Sequence, residues 1–109
     1  MKNRFSILAL LSLSALTGAA QADAELALGR KIFTQQAQPA CALCHTLKDA
    51  GAEGAIGPVL DEIKPDAARV SRAVKDGIGA MPPFKQQLSD AEVKAVARYV
   101  SVATGAAKK

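Results

Sequence analysis

The residues of this sequence that could do chemistry lie together in the segment Cys41-Ala42-Leu43-Cys44-His45. The segment contains both cysteines and the one histidine of the 109-residue chain. Two thiols separated by two residues and followed directly by an imidazole are typical of covalent attachment of a c-type haem. Each thiol can add to one vinyl group of the porphyrin, and the adjacent imidazole can bind the iron. The spacing therefore predicts one covalent haem c held by Cys41 and Cys44, with His45 as an iron ligand.

A second iron ligand is sought among the few other side chains with a suitable nitrogen or sulfur. There is no second histidine, and Met1 begins a predicted leader, so Met81 is the methionine left for the folded domain. Met81 lies 36 residues after His45, in a segment (residues 78–84) that contains two prolines. A thioether opposite the imidazole would give six-coordinate iron and raise its reduction potential. A core-filling methionine and an open sixth position are the alternatives.

Other functions of a Cys-x-x-Cys pair fit the sequence less well. In a thiol-disulfide oxidoreductase the pair lies in a βαβ setting, whereas this chain has no alternating strand pattern of useful length. A closed zinc site needs four ligands, and two cysteines with one histidine fall short. A haem enzyme or gas-binding protein needs an open or labile distal position, and no histidine, arginine or tryptophan lies near Met81 to assist peroxide chemistry. The sequence thus favours a one-electron carrier over an enzyme.

The first residues are typical of a secretory signal peptide. A basic start at residues 1–4 precedes an apolar run at 5–17, and Ala20-Gln21-Ala22 offers the small residues that a signal peptidase recognises. The run is shorter than the roughly 20 residues that span a bilayer, so we expect no stable membrane insertion, with an uncleaved membrane anchor as the alternative. The sequence predicts a signal peptide at 1–22, one domain at 23–109 and a periplasmic location.

The charge of the predicted domain is modest. Removal of the signal peptide lowers the count of Lys and Arg from 14 to 12 against 10 Asp and Glu, so the net charge falls from +4 to +2. The two carboxylates of a haem would bring this charge near zero, and nucleic-acid binding is not indicated. A domain of this size has a small core, to which a buried haem would add apolar surface.

Three helices are predicted, with irregular connections between them. The first covers residues 24–36, where Gly29 indicates close approach of another helix, because glycine inside a helix costs about 1 kcal/mol relative to alanine. The second runs from an N-cap at Asp66 to a C-cap at Gly77. The third begins at a capping box, Ser89-Asp90-Ala91-Glu92, and ends near residues 104–105. Residues 46–64 are predicted to be mostly loop.

A set of motifs in this order carries a resemblance to a known family. They are Gly29-x-x-x-Phe33, Cys41-x-x-Cys44-His45, Gly57-Pro58, Met81-Pro82 and Ala97-Arg98-Tyr99-Val100. Together they resemble a class I cytochrome c over about residues 27–103. The resemblance implies an all-α class I cytochrome c fold, with three to five helices and long loops wrapped around one covalently bound haem.

The resemblance also implies roles for individual residues. The N- and C-terminal helices should cross near Gly29, Phe33, Tyr99 and Val100. The Pro58 carbonyl should accept a hydrogen bond from His45 Nδ1, and the Met81 sulfur should be the distal ligand. One departure is the stretch of seven residues at 34–40, longer than in compact members, which leaves the end of the first helix open.

A narrower resemblance concerns redox partners. Residues 41–47 and 57–66 are similar to small periplasmic cytochromes paired with molybdenum sulfite dehydrogenases, which implies a dehydrogenase as electron donor and a terminal oxidase as acceptor. Such a carrier is expected to be a monomer that docks transiently. Lys48 and Lys85, with Lys75 as a further candidate, are predicted to fringe the haem edge and to attract acidic partners. Ordinary solvated lysines are the alternative.

Overall fold

The computed structural model describes residues 13–109, with side chains from Thr17 onward. This part of the chain is mostly helical and contains one short antiparallel sheet. The helices are α1 (Leu13–Lys31), α2 (Cys41–Cys44), α3 (Leu60–Ile63), α4 (Ala67–Asp76) and α5 (Asp90–Ala103), and the strands are β1 (Thr46–Leu47) and β2 (Ala52–Glu53). The predicted all-α class with three to five helices is confirmed.

Helix α1 is longer than the helix predicted at residues 24–36, because the chain is already helical at Leu13. Its described part runs through the predicted cleavage site after Ala22. Residues 1–12 of the predicted signal peptide lie outside the described residues. Within residues 13–109, none of the helices combines the length and the apolar character that crossing a membrane requires.

The helical stretch that begins with α1 ends in a π-helical turn, Ile32–Gln36. The Ala37 amide donates to the Ile32 carbonyl (3.0 Å), so this hydrogen bond spans five residues instead of the usual four. Ile32 and Phe33, at the start of the turn, are almost completely buried. The predicted end of the helix at Gln36 is confirmed, although its last turn is wider than an α-helical one.

Helix α5 packs against both α1 and α4, and its contact with α1 is closest at Gly29. A Cβ atom on Gly29 would lie 2.3 Å from the Ala95 carbonyl oxygen and 2.5 Å from Tyr99 Cβ. One turn further along the chain, in the π-helical turn, the ring of Phe33 meets that of Tyr99 edge to face, with centroids 6.1 Å apart and an interplanar angle of 62°. The predicted packing role of Gly29 is confirmed: the missing side chain allows the two helices to touch.

Helix α4 begins and ends where the sequence predicts. The Asp66 carboxylate accepts a hydrogen bond from the Arg69 amide (2.8 Å), which caps the first turn. Gly77 follows the last turn with a φ of +72°, a conformation that glycine adopts without strain. Between these caps Val74 is buried and Val70 packs against the core.

The predicted capping box of α5 is also present. The Glu92 amide donates to Ser89 Oγ (3.1 Å), and the Ser89 amide donates to the Glu92 carboxylate (2.9 Å). The second carboxylate oxygen of Glu92 accepts a hydrogen bond from the Gln36 side chain. The start of α5 is therefore tied to the end of the α1 stretch.

The hydrogen bonds of Glu92 predict an acid dependence of stability. The Ser89 amide and hydroxyl favour the carboxylate and lower the pKa of Glu92 below its ordinary value of 4.5. A lowered folded pKa stabilises the protein above pH 4.5, and this contribution is lost as the pH falls through the folded pKa. The thermal stability of wild type should therefore fall more steeply with decreasing pH than that of Glu92→Gln. Glu53→Gln removes an exposed carboxylate that makes no side-chain hydrogen bond among the described residues, so it should leave the wild-type slope unchanged. Equal slopes for all three proteins would contradict the prediction.

The segment predicted as loop, residues 46–64, contains several short elements. β1 and β2 pair with Leu47 opposite Ala52, a 3₁₀ turn (Lys48–Ala50) joins them, and α3 follows. The expectation of mostly loop is corrected here. Two-residue strands and single helical turns are too short to impose a hydrophobic period on the sequence, so pattern alone could not reveal them.

Candidate haem site

A cavity of about 680 Å³ opens beside α2, between the 56–58 loop, α4, the Met81 segment (residues 78–84) and α5. Its volume lies within the roughly 300–1,000 Å³ typical of ligand sites. Its walls include six buried apolar side chains: Phe33, Leu60, Val74, Phe84, Val96 and Val100. The cavity therefore offers a large apolar group a place inside the domain.

Both cysteines and the histidine of the motif line this cavity. Cys41 and Cys44 are the two ends of the single-turn helix α2, and residues three apart lie on the same face of a helix. The His45 amide donates to the Cys41 carbonyl (3.0 Å), so the histidine directly continues that turn. The sequence-predicted attachment residues are thus brought together on one wall.

The environment of Cys41 differs from that of a catalytic thiol. Burial raises the pKa of the Cys41 thiol to about 11 from its ordinary value of 9.0. Thiol-disulfide oxidoreductases depend on a lowered pKa, because the thiolate is the nucleophile. This raised pKa argues against the thiol-redox alternative.

The orientation of His45 is set by the loop that follows the sheet. His45 Nδ1–H donates to the Pro58 carbonyl (2.8 Å), because a carbonyl oxygen only accepts, so Nε2 is the ring nitrogen left to bind a metal. A Cβ atom on Gly57 would lie 2.6 Å from His45 Cε1. The hydrogen bond to Pro58 that the resemblance implied is confirmed, and a backbone carbonyl that accepts from one ring nitrogen orients an imidazole that binds metal through the other.

Gly54 is a close contact that the sequence did not single out. A Cβ atom there would lie 2.6 Å from backbone atoms of both Cys44 and His45. The same loop is anchored by the amides of Ile56 (3.1 Å) and Gly57 (2.7 Å), which both donate to the Cys44 carbonyl. Glycine at position 54 lets the loop lie directly against the attachment turn, and only the three-dimensional structure reveals that proximity.

Met81 lines the cavity from the segment between α4 and α5. Its backbone is paired with Ile78 by two hydrogen bonds, Met81 N–H to Ile78 O (2.9 Å) and Ile78 N–H to Met81 O (3.1 Å). A Cβ atom on Gly77 would lie 2.7 Å from the Met81 carbonyl oxygen. The Met81 side chain is half-buried and packs against the core, so its position is set by a tight turn.

The cationic residues of the cavity wall are Arg69 and Arg72, both on α4 and both exposed. They were not predicted as site residues, because a side chain's direction on a short helix does not follow from charge alone. Guanidinium groups pair well with carboxylates, and a haem carries two carboxylates on an otherwise apolar ring. Apolar walls, two thiols, an imidazole, a thioether and two guanidinium groups together fit a haem c.

The lysines predicted to fringe the haem edge are not part of the cavity wall. Lys48 and Lys85 are exposed, and neither lines the cavity. Lys75 Nζ lies 3.8 Å from an Asp90 carboxylate oxygen, so it pairs with the start of α5. Any contribution of these lysines to docking is therefore made from outside the cavity.

Comparison with known proteins agrees with this geometry. Residues 24–100 match the family described as cytochrome c oxidase, cbb3-type, subunit III. The chloroplastic cytochrome c6 of Chlamydomonas reinhardtii is 36% identical over 108 residues, covering 85% of this chain and 66% of that relative, so the chain spans just under two thirds of its length. The crystal structure of the c-type cytochrome SorU from Sinorhizobium meliloti is similar with a TM-score of 0.74 and 57% identity, covering 76% of this chain and 94% of that one. The chain therefore belongs to the class I c-type cytochromes, electron-transfer proteins rather than enzymes, each with a covalently bound haem c.

Proposed function

We propose that this chain is a periplasmic one-electron carrier whose iron is bound by His45 and Met81. The observation that supports the proposal most directly is that His45 and Met81 line one cavity together with both cysteines. The hydrogen bond to Pro58 occupies His45 Nδ1, so Nε2 is the nitrogen that would bind iron. A bound haem c supplies an iron that changes its charge by one electron. The chain's residues attach it, orient the imidazole and cover it with apolar side chains.

The way in which the Met81 segment is held favours a carrier over a gas-binding protein. The backbone of Met81 is fixed by its paired hydrogen bonds with Ile78, and Phe84 at the far end of the segment donates its amide to the Val74 carbonyl (2.7 Å). A thioether held in this way would remain available to the iron of a bound haem in both oxidation states. Carriers benefit from this arrangement, whereas a gas-binding site needs a vacant position.

The mouth of the cavity offers a surface for transient partners. Ile56 and Ile78 line the cavity with side chains 79% and 70% exposed, and Ile63 is 39% exposed. Small interfaces with an apolar centre and charged surroundings suit proteins that must dissociate quickly. We propose that partners dock over these isoleucines, with Lys48 and Lys85 attracting acidic groups at the periphery.

The proposed partners are a sulfite dehydrogenase as donor and a terminal oxidase as acceptor. The narrower resemblance of residues 41–47 and 57–66 supports this assignment. The 57% identity to the c-type cytochrome SorU supports a close relationship to one particular bacterial cytochrome. The predicted signal peptide at residues 1–22 is the basis for the periplasmic location.

Spectroscopy of the purified holoprotein tests the carrier function. The ferric protein should show the methionine–iron charge-transfer band, and the ferrous protein should bind carbon monoxide poorly at neutral pH. An alkaline pyridine haemochrome spectrum should report one haem bound through thioether bonds. Ready binding of carbon monoxide by a wild-type protein without the band would instead support a gas-binding or enzymatic site.

The docking role of Lys85 can be tested by reversing its charge. Lys85→Glu should slow electron transfer from a sulfite dehydrogenase about tenfold at low ionic strength, because electrostatic attraction accelerates association. The difference from wild type should shrink as salt is added. Lys94→Glu is the matched control: Lys94 is an exposed lysine on α5 whose neighbours Val93 and Ala95 do not line the cavity, whereas Lys85 directly follows Phe84, which does. An unchanged rate and salt slope for Lys85→Glu, or equal effects of both variants, would exclude a specific docking role.

A further inference from the structure

The side chain of Gln87 makes a paired contact that neither the motifs nor the carrier function explains. Its Oε1 accepts a hydrogen bond from the Gln38 amide (2.9 Å), and its Nε2 donates to the Gln38 carbonyl (2.8 Å). One side-chain amide therefore satisfies both backbone groups of a residue 49 positions away in sequence. We call this pair of hydrogen bonds the Gln87 clamp.

On one side, the clamp holds the entry to the haem attachment turn. Gln38 is followed by a cis peptide bond to Pro39, and Pro39 and Ala40 line the cavity directly before Cys41. The Ala40 carbonyl accepts a hydrogen bond from the Leu43 amide (3.0 Å), so this stretch leads directly into α2. Fixing Gln38 therefore fixes the wall that carries the thiols.

On its other side, the clamp holds the exit of the Met81 segment. Gln87 lies in a turn in which the amides of Gln87 (3.0 Å) and Leu88 (2.9 Å) both donate to the Phe84 carbonyl. Phe84 is 4% exposed and lines the cavity, and Leu88 is 5% exposed. The turn is thus anchored in the core, and the Met81 segment ends at Phe84.

A second contact joins the same two regions. The Gln36 side chain donates to the Glu92 carboxylate at the start of α5. None of the four residues lines the cavity, but the clamp lies nearer to its wall: Gln38 directly precedes Pro39, which lines it, and the Gln87 amide donates to Phe84, which also lines it. Among the side-chain hydrogen bonds described for residues 17–109, the clamp is therefore the one that joins the residue before Pro39 to the turn that follows Phe84.

We propose that Gln87 is a positioning residue that keeps Met81 on the iron by locking the Met81 segment to the cysteine-bearing wall. This inference rests on the proposed ligation by Met81. Release of Met81 requires the segment to move away from the attachment turn, and the clamp opposes that movement at the segment's end. Because both hydrogen bonds are exposed, each makes a modest contribution, and the clamp affects local opening more than binding of the haem itself.

Exogenous imidazole measures this opening, because it binds ferric iron only after Met81 has left. The apparent affinity for such a ligand is proportional to the population of the open form. Loss of two exposed hydrogen bonds in Gln87→Ala should raise imidazole affinity about five- to tenfold. Gln87→Glu keeps the acceptor for the Gln38 amide but places a carboxylate oxygen against the Gln38 carbonyl, and because two acceptors repel each other it should also raise the affinity. Gln86→Ala is the matched control, since Gln86 is exposed and its side chain makes no hydrogen bond among the described residues.

A general loss of stability is separated from local opening by a second control. Ser89→Ala removes the N-cap of α5 without touching Gln38, so it should lower the stability to denaturant and leave imidazole affinity near wild type. The proposal is overturned if Gln87→Ala binds imidazole as wild type does, or if Ser89→Ala raises the affinity equally. A wild-type ferric protein without the methionine–iron band would overturn the proposed ligation itself, and the clamp's role with it. If wild type shows the band and Gln87→Ala has the wild-type imidazole affinity, the proposed role of the clamp alone is overturned.

Discussion

Replacement of Met81 by alanine is expected to abolish the methionine–iron charge-transfer band of the ferric holoprotein and to lower its reduction potential. Methionine opposite histidine favours ferrous iron, so its loss destabilises the reduced state. The potential should fall by on the order of 0.1–0.2 V, a fraction of the roughly 0.8 V over which axial ligands set haem potentials. Ferrous Met81→Ala should also bind carbon monoxide readily, because the distal position is open. Absorbance spectra and a spectroelectrochemical titration measure all three quantities.

Ile78→Ala is the matched control for this variant. Ile78 forms the paired backbone hydrogen bonds with Met81, yet its own side chain is 70% exposed at the cavity mouth. Its truncation should retain the band and change the potential little. A Met81→Ala protein that keeps the band and the wild-type potential would show that another group is the distal ligand. The core-filling alternative predicts instead a less stable protein with unchanged spectra.

The site residues that lie close together in the sequence were the easiest to predict. Cys41, Cys44 and His45 are adjacent in the chain, and one helical turn suffices to place them on the same wall. Met81 was reached by elimination, since a chain with one histidine and one further methionine leaves few choices. The role of Pro58 came from family resemblance, because a backbone carbonyl carries no sequence signal of its own.

Other contacts of the site depend on the path of the chain in three dimensions. Gly54 lies against the attachment turn only because β1 and β2 fold back on each other. Arg69 and Arg72 line the cavity because of the direction in which α4 packs. The Gln87 clamp joins residues 49 positions apart through a side chain with no charge and no motif. No local pattern could reveal these contacts.

For the fold, the sequence predicted those features that depend on contacts between residues close together in the chain. The caps at Asp66, Gly77 and Ser89 satisfy helix ends within three or four residues, and all three lie where the sequence predicts. The elements within 46–64 were missed, because each is shorter than the period that would reveal it. The π-turn that ends the α1 stretch was missed as well, since a single wider turn follows the same composition as an α-helix.

Among the described glycines, Gly29 leaves the least room for a side chain, because α1 packs directly against α5 there. Tyr99, which faces Gly29, is held on two other sides: its ring packs against Phe33, and its hydroxyl donates to the Asp49 carboxylate (2.6 Å). Burial, and then the Asp49 carboxylate, raise the pKa of Tyr99 above its ordinary value, so the phenol remains a donor throughout the neutral range. Tyr99 therefore cannot move aside to admit a side chain at position 29. Asp49 lies in the 3₁₀ turn that follows β1, so a shift of α5 would also disturb the region just beyond His45.

Gly29→Ala is accordingly expected to destabilise the holoprotein by about 3 kcal/mol, the upper end of the range for overpacking, because the new Cβ meets the Ala95 carbonyl oxygen at 2.3 Å. Helix propensity acts in the opposite direction, since alanine is favoured over glycine by about 1 kcal/mol. Ala27→Gly, at an exposed position of the same helix, measures that propensity term and should cost about 1 kcal/mol. Guanidinium unfolding of the three ferric proteins gives both values. If Gly29→Ala proved as stable as wild type or more so, propensity would outweigh the contact, and α1 and α5 could not be packed as closely as the structure places them.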